Sequence, residues 1–151
     1  MVAIIILNWN GAKDTLPCLD SLSKAKGDFC IYVVDNGSTD DSLRRIETWA
    51  HEHPETSMRI IPLDRNYGFA KGNNMGIAVA RCDSPDAYLL LNNDTEVEPD
   101  FLVRLLAFAE LHPEYKVLTP LMVIRRGYGM QAGVSSGASA GISIATVLLP
   151  I

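Results

Sequence analysis

Four times along this chain a short apolar run stops at a cluster of amides and carboxylates, and a segment of helical periodicity follows. Val2-Ala3-Ile4-Ile5-Ile6-Leu7 ends at Asn8-Trp9-Asn10-Gly11, and Cys30 to Val34 ends at Asp35-Asn36-Gly37-Ser38. Arg59 to Leu63 leads to Asn66-Tyr67-Gly68, and Ala87 to Leu91 stops at Asn92-Asn93-Asp94. Unbroken apolar runs of this length suit strands covered on both faces, because an alternating pattern would leave one face in water. Strand and helix in alternation imply an α/β fold: a mostly parallel, doubly wound sheet flanked by helices, with right-handed crossovers. The third run contains Pro62, which cannot donate to a ladder, and is expected nearer an edge.

The helices have their own signals. Asp14 or Thr15 can cap the first, with Pro17 in its first turn, Leu16, Leu19 and Leu22 on its buried stripe, and Gly27 at its end. Asp40 or Thr39 can cap the second, whose apolar face is Leu43, Ile46, Trp49 and Ala50. The third runs on from Gly68 through Ile77 and Val79 to Arg81. Pro99 fits the first turn of the fourth, followed by Phe101, Leu102, Leu105, Leu106 and Ala109. Val117-Leu118-Thr119 reads as a fifth strand.

In a parallel sheet all four polar clusters fall on one rim, the edge at which open α/β sheets bind ligands. One such cluster is a turn; four make a cleft. Candidate nucleotide-binding residues on that rim are Asn8, Asn10, Asp35, Ser38, Asn66, Gly68, Lys71, Asn92 and Asn93. Asp35 can accept from a base N–H or a ribose hydroxyl. Lys71 and the N–H groups of its helix start can meet phosphate oxygens. Asp94, a carboxylate flanked by amides, offers hard oxygen ligands for Mg²⁺ or Mn²⁺. Gly68, Gly72 and Gly76 recur on one helix face; close packing on a strand is their favoured reading over approach to a ligand.

Other chemistries lack their residues. Neither G-x-G-x-x-G after the first strand nor G-x-x-x-x-G-K-[ST] occurs. Asn92 stands where an aspartyl-phosphate enzyme of the D-x-D-x-T type needs its nucleophile, and an amide cannot serve. The 13 basic and 18 acidic residues give a net charge of −5, which disfavours a nucleic-acid surface. Cys18, Cys30 and Cys82, with no CxxC, suit reduced thiols and a cytoplasmic setting. His51, His53 and His112 show no zinc spacing and are expected near helix ends at the surface. Val2 to Leu7 lacks the basic flank of a signal peptide and is not expected to be one, and no stretch before Gly127 is apolar enough to span a bilayer.

Taken together and in order, Ile5–Gly11, Val33–Asp40, Asn66–Asn74 and Leu90–Thr95 resemble the inverting family 2 glycosyltransferases of the GT-A fold. The resemblance is strongest to the rhamnosyltransferase-like branch and covers Val2 to Met122. It implies a Rossmann-like domain over residues 1–126 that binds a nucleotide diphosphate sugar for transfer to a saccharide or lipid-linked acceptor. Asn8, Asn10 and Asp35 would line the base and ribose pocket. Asn92-Asn93-Asp94 would stand in for the family's D-x-D, with Asp94 the metal-binding carboxylate. That metal would bridge the diphosphate and stabilise charge on the leaving nucleotide.

The family's acceptor half carries a carboxylate base, whereas Glu114 is the last acidic residue here and residues 127–151 hold no charge. The alternative reading is therefore a non-catalytic nucleotide-sugar-binding module. The catalytic residue itself is not identified in the sequence. In the tail, Ile142, Ile144, Val147, Leu148 and Leu149 are expected to cover the sheet or a partner protomer, a homo-oligomer in the second case. A peripheral membrane role for them is the weaker expectation, since only Arg125-Arg126 flanks them.

Overall fold

The computed structural model describes residues 1–118 and 145–148. In chain order the elements are β1 (Val2–Asn8), α1 (Ala12–Leu22), β2 (Phe29–Asp35), α2 (Ser42–Glu52), β3 (Met58–Pro62) and α3 (Phe69–Ala80). A 3-10 turn (Arg81–Asp83) then leads to β4 (Ala87–Asn92), α4 (Phe101–Leu111), β5 (Val117–Leu118) and β6 (Ala145–Leu148). They form one sheet in the order β3-β2-β1-β4-β6-β5. β1, β2, β3 and β4 run parallel, as the alternation implies, and β3 lies at the edge, where Pro62 is tolerated.

β1 sits at the centre of the parallel part and its two faces carry two cores. Val2, Ile4 and Ile6 pack with Cys18, Leu19 and Leu22 of α1, Ile46 and Trp49 of α2, and Leu102 and Ala109 of α4. Ala3 and Ile5 face the other way, with Tyr32, Val34 and Ala80, under α3. Three helices thus cover one face and one covers the other. Ile4, Ile5 and Ile6 are wholly buried, each worth ~1.5–3 kcal/mol of burial, which is why consecutive residues of this strand are all apolar. α3 lies close because Gly72 and Gly76 face the sheet: a Cβ on Gly72 would come within 2.5 Å of Leu7 Cδ1, and one on Gly76 within 2.7 Å of Val34 Cγ2. Close packing on strands is therefore the role of these two; Gly68 lies just before the helix.

Helix starts differ from the sequence expectation. α1 begins at Ala12, before Asp14 and Thr15. Its first N–H is met from outside, donating to Ser42 Oγ at the head of α2 at 3.1 Å, so no local cap is needed. Pro17 consequently lies inside α1 rather than in its first turn, and the helix ends at Leu22, well before Gly27. Pro99 precedes α4, whose capping position is Asp100. The second start differs too: Asp41, not Asp40 or Thr39, holds the capping position of α2, although Asp40 Oδ1 accepts from Ser42 N at 2.9 Å. Hydrogen bonding from the Ser42 side chain, and next from its backbone, holds the exposed Asp40 carboxyl below its ordinary range.

The tail differs most. Residues 145–148, Val147 and Leu148 among them, form a strand that extends the sheet edge to edge, antiparallel to β4, instead of lying over its face. An antiparallel strand satisfies β4's remaining backbone groups, which a covering layer of side chains cannot do. Ile142, Ile144 and Leu149 lie outside the described residues. Among the described residues no helix is long and apolar enough to cross a membrane. The three cysteines are free, with Cys18 and Cys30 buried and Cys82 exposed. His51 sits in the last turn of α2, and His53 and His112 follow the ends of α2 and α4.

Candidate functional site at the carboxyl rim

Strand register brings the polar clusters level. Asn8 pairs with Asp35 across β1 and β2, Leu7 with Asn92 across β1 and β4, and Asp35 with Pro62 across β2 and β3. All four clusters therefore open on the same edge of the sheet, in three linked groups.

The first group is built on Asp35, only 2% exposed. Such a carboxylate must be met by donors. Asn8 Nδ2 donates to Oδ1 at 2.7 Å, Ser38 Oγ to Oδ1 at 2.6 Å, and Ser38 N to Oδ2 at 3.0 Å. Asn8 Nδ2 also lies 3.2 Å from Ser38 Oγ. Asn10, at φ 49°, one of two non-glycine residues with positive φ among those described, closes over this turn. Its Oδ1 accepts from Thr39 N at 2.8 Å, and its own N donates to Ser38 Oγ at 2.9 Å. Asn8 is wholly buried, while Asn10 stands at the surface.

The second group joins β2 to the turn before α3. The buried Asn36 donates from Nδ2 to Asn66 Oδ1 at 3.0 Å and accepts Tyr67 N on Oδ1 at 2.9 Å. Asn66 Oδ1 also takes Gly68 N at 2.7 Å. Gly68, at φ 81° and ψ 170°, holds a backbone conformation nearly confined to glycine, and this starts α3 at the rim. Lys71 is exposed, and its Nζ lies 4.3 Å over the Tyr67 ring, a cation–π contact.

The third group surrounds a cavity of about 170 Å³ lined by Leu7, Phe69, Asn73, Asn92, Asn93 and Asp94 among others. Asp94 is exposed, and Asn92 and Asn93 are half-buried. Behind the loop Cys18 Sγ donates to Asn92 O at 3.9 Å; burial, then the nearby Asp94 charge, push this thiol up to about 12. Thr95 is buried, and its hydroxyl oxygen has no hydrogen-bond partner among the described residues.

Asn8, Asn10, Asp35 and Ser38 thus form one network, Asn66 and Gly68 a second, and Asn92, Asn93 and Asp94 line one cavity. Three further residues belong to this rim. Phe69 (65% exposed) and the buried Asn73 line the cavity; their signal was the Gly-spaced helix start, which reads first as packing. Thr15, wholly buried, accepts from Asn93 Nδ2 at 3.0 Å; in sequence it reads as a helix cap.

The donor set suits a hard cation. No group of three or more His, Cys, Asp or Glu side chains is arranged to hold a metal among the described residues. Mg²⁺ commonly binds through one or two carboxylates plus substrate phosphates and water, so Asp94 beside amide oxygens fits an ion that arrives with a diphosphate.

Known proteins share this fold. The crystal structure of S. aureus TarS 1-349 in complex with UDP-GlcNAc superposes with a TM-score of 0.71 at 25% identity, over 86% of this chain and 36% of that one. A PGL/p-HBAD biosynthesis glycosyltransferase of Mycobacterium bovis is 34% identical over 116 residues, 74% of this chain and 43% of the relative. A teichoic acid poly(glycerol phosphate) polymerase of Staphylococcus epidermidis is 29% identical over 97 residues, 64% of this chain and 13% of the relative. The chain therefore spans less than half the length of these curated relatives. Residues 3–130 match the sequence model of glycosyl transferase family 2, and the chain belongs to that family.

Proposed function

We propose that the carboxyl rim binds a nucleotide diphosphate sugar together with Mg²⁺ or Mn²⁺, for glycosyl transfer to a saccharide or lipid-linked acceptor. The observation that carries this reading is the register that sets Asp35 and the Asn92–Asp94 loop level on either side of β1. The family membership and a neighbour solved with UDP-GlcNAc support it. The motif pattern supports a reading as a member of the rhamnosyltransferase-like branch, and the free thiols suit a reducing, cytoplasmic compartment.

Asp35 has spent three of its roughly four acceptor sites inside the chain. The remaining one meets a base N–H or ribose hydroxyl, while Asn10 and Ser38, which it holds in place, frame the nucleoside. Asn66 and Gly68 fix the start of α3, whose leading N–H groups and Lys71 face the phosphates. To reach them Lys71 leaves the Tyr67 ring, a contact worth only ~0.5–1 kcal/mol at an exposed site. Asp94, with the amide oxygens of Asn92 and Asn93, holds the cation. When bound, that ion stabilises charge on the leaving diphosphate.

The sequence favours a second reading for catalysis. An inverting transfer needs a carboxylate within reach of the attacking hydroxyl, and Glu114 is the last acidic residue. A module made of these residues alone is accordingly expected to bind a nucleotide sugar without transferring it. Calorimetry with UDP, GDP and dTDP, with and without Mn²⁺, tests binding; absence of binding by all three removes the proposal. Acceptor-dependent formation of glycosylated product would overturn the second reading.

A further inference from the structure

One hydrogen-bond path crosses the rim from end to end. Asn93 Nδ2 donates to Thr15 Oγ1 at 3.0 Å, Thr15 Oγ1 to Asn8 Oδ1 at 2.8 Å, and Asn8 Nδ2 to Asp35 Oδ1 at 2.7 Å. Asn8 and Thr15 are wholly buried and Asp35 nearly so. The direction of every bond follows from its far end. A carboxylate only accepts, so Asn8 must turn its NH₂ toward Asp35 and its carbonyl toward Thr15. Thr15 has one proton, shared between Asn8 Oδ1 and, at 3.1 Å, the Gly11 carbonyl, so toward Asn93 it can only accept. Gly11 leaves room for this meeting: a Cβ there would stand 2.9 Å from Asn93 Nδ2.

We propose that Thr15, on α1, is a positioning residue that ties the Asn92–Asp94 loop to the Asp35 end of the rim. The proposal rests on the donor-site reading for its use: a ligand that spans both ends needs them at one spacing. α1 serves that ligand through this tie rather than by direct contact. Thr15 acts by making the cation-holding loop and the nucleoside end a single unit, so that disturbing either is felt at the other.

The test has a ligand-free arm and a ligand arm. In the ligand-free arm, amide hydrogen exchange is followed at Ser38, whose N–H lies on Asp35, at the far end from Asn93. Asn93→Ala should accelerate it several-fold, up to about tenfold, the factor one net hydrogen bond represents. In a Thr15→Val background the same substitution should add nothing, and Thr15→Ser, which keeps the hydroxyl, should restore the response. An Asn93→Ala effect of equal size in both backgrounds overturns the tie, as does no effect in the parent; the latter stands even if Thr15→Val fails to fold.

In the ligand arm, UDP with Mn²⁺ and uridine monophosphate are titrated separately. Thr15→Val should weaken UDP with Mn²⁺ about tenfold and the monophosphate less than about twofold, because only the former engages both ends. Equal weakening of both overturns the positioning role. If UDP with Mn²⁺ fails to bind the parent while the exchange coupling is intact, the donor-site reading falls and the tie stands.

Discussion

Gly76 gives the sharpest test of how this fold is held. In a helix interior, replacing glycine by alanine ordinarily gains ~1 kcal/mol, because glycine loses more backbone freedom on folding. Here the new methyl would lie 2.7 Å from Val34 Cγ2 and 2.8 Å from Ile5 Cγ2, against a comfortable separation of about 3.5–4.0 Å. Both neighbours are wholly buried, β-branched and carried on interior strands, so neither can rotate away. α3 must lift instead, and two close contacts with rigid neighbours put the cost at ~2–3 kcal/mol, the upper part of the range typical of overpacking. The second effect wins, and Gly76→Ala should lose about 1–2 kcal/mol net. With a urea slope of about 2 kcal/mol/M, the unfolding midpoint drops by roughly 0.5–1 M at unchanged slope.

Gly72→Ala is the internal control. Its methyl meets Leu7 Cδ1 at 2.5 Å, the far end of a flexible, half-buried side chain beside the cavity, which can swing aside. Its midpoint should stay within about 0.3 M of the parent, while Leu7 fills part of the cavity and weakens ligand binding. A Gly76→Ala variant as stable as the parent, or more so, would refute the reasoning: α3 would not be resting on the sheet through its glycines.

Asp94→Ala should abolish the Mn²⁺-dependent part of nucleotide diphosphate binding and change stability by no more than ~0.5 kcal/mol; calorimetry and urea unfolding read the two separately. Thr95→Val should stabilise the fold by about 1 kcal/mol, since the buried hydroxyl forgoes its hydrogen bonds; a comparable loss on urea unfolding would mean that it has a partner. Cys18 should resist iodoacetamide at pH 8 in the native state while Cys82 reacts, as peptide mapping would show. Because burial raises the folded Cys18 pKa from 9.0 to about 12, its contribution to stability is full below pH 9 and is lost as pH rises from 9 to about 12. Unfolding midpoints that fall across this window in the parent and less in Cys18→Ala would bear that out.

The parallel strands were legible because a strand buried on both faces cannot hide its composition; the breaks at Asn8, Asp35 and Asn92 marked the rim for the same reason. Helix starts were not. Thr15 has the side chain of a cap, and only the fold reveals that its hydroxyl turns inward to Asn8 while Ser42, from another helix, meets the first N–H of α1. β6 was illegible for a different reason. Its pairing of Ala145 with Leu91 is a contact between distant parts of the chain, and the uncharged sequence around it carries no period. Lys71 shows a third limit: sequence offers it a phosphate, whereas the ligand-free chain offers it the face of Tyr67.

That distant strand reaches into the chemistry. β4 is hydrogen-bonded to β1 on one side and to β6 on the other, and the β6 ladder runs up to Leu91, one residue short of Asn92. The loop bearing Asp94 therefore springs from a strand clamped on both flanks, and residues 145–148 splint a carboxylate that lies more than fifty positions earlier in the chain. Unseat the splint and β4 becomes an edge, with its backbone groups open to water or to another strand and its last residues free to fray. Proline in place of Thr146, opposite Leu90, would then loosen the Asp94 loop without touching any residue of the rim.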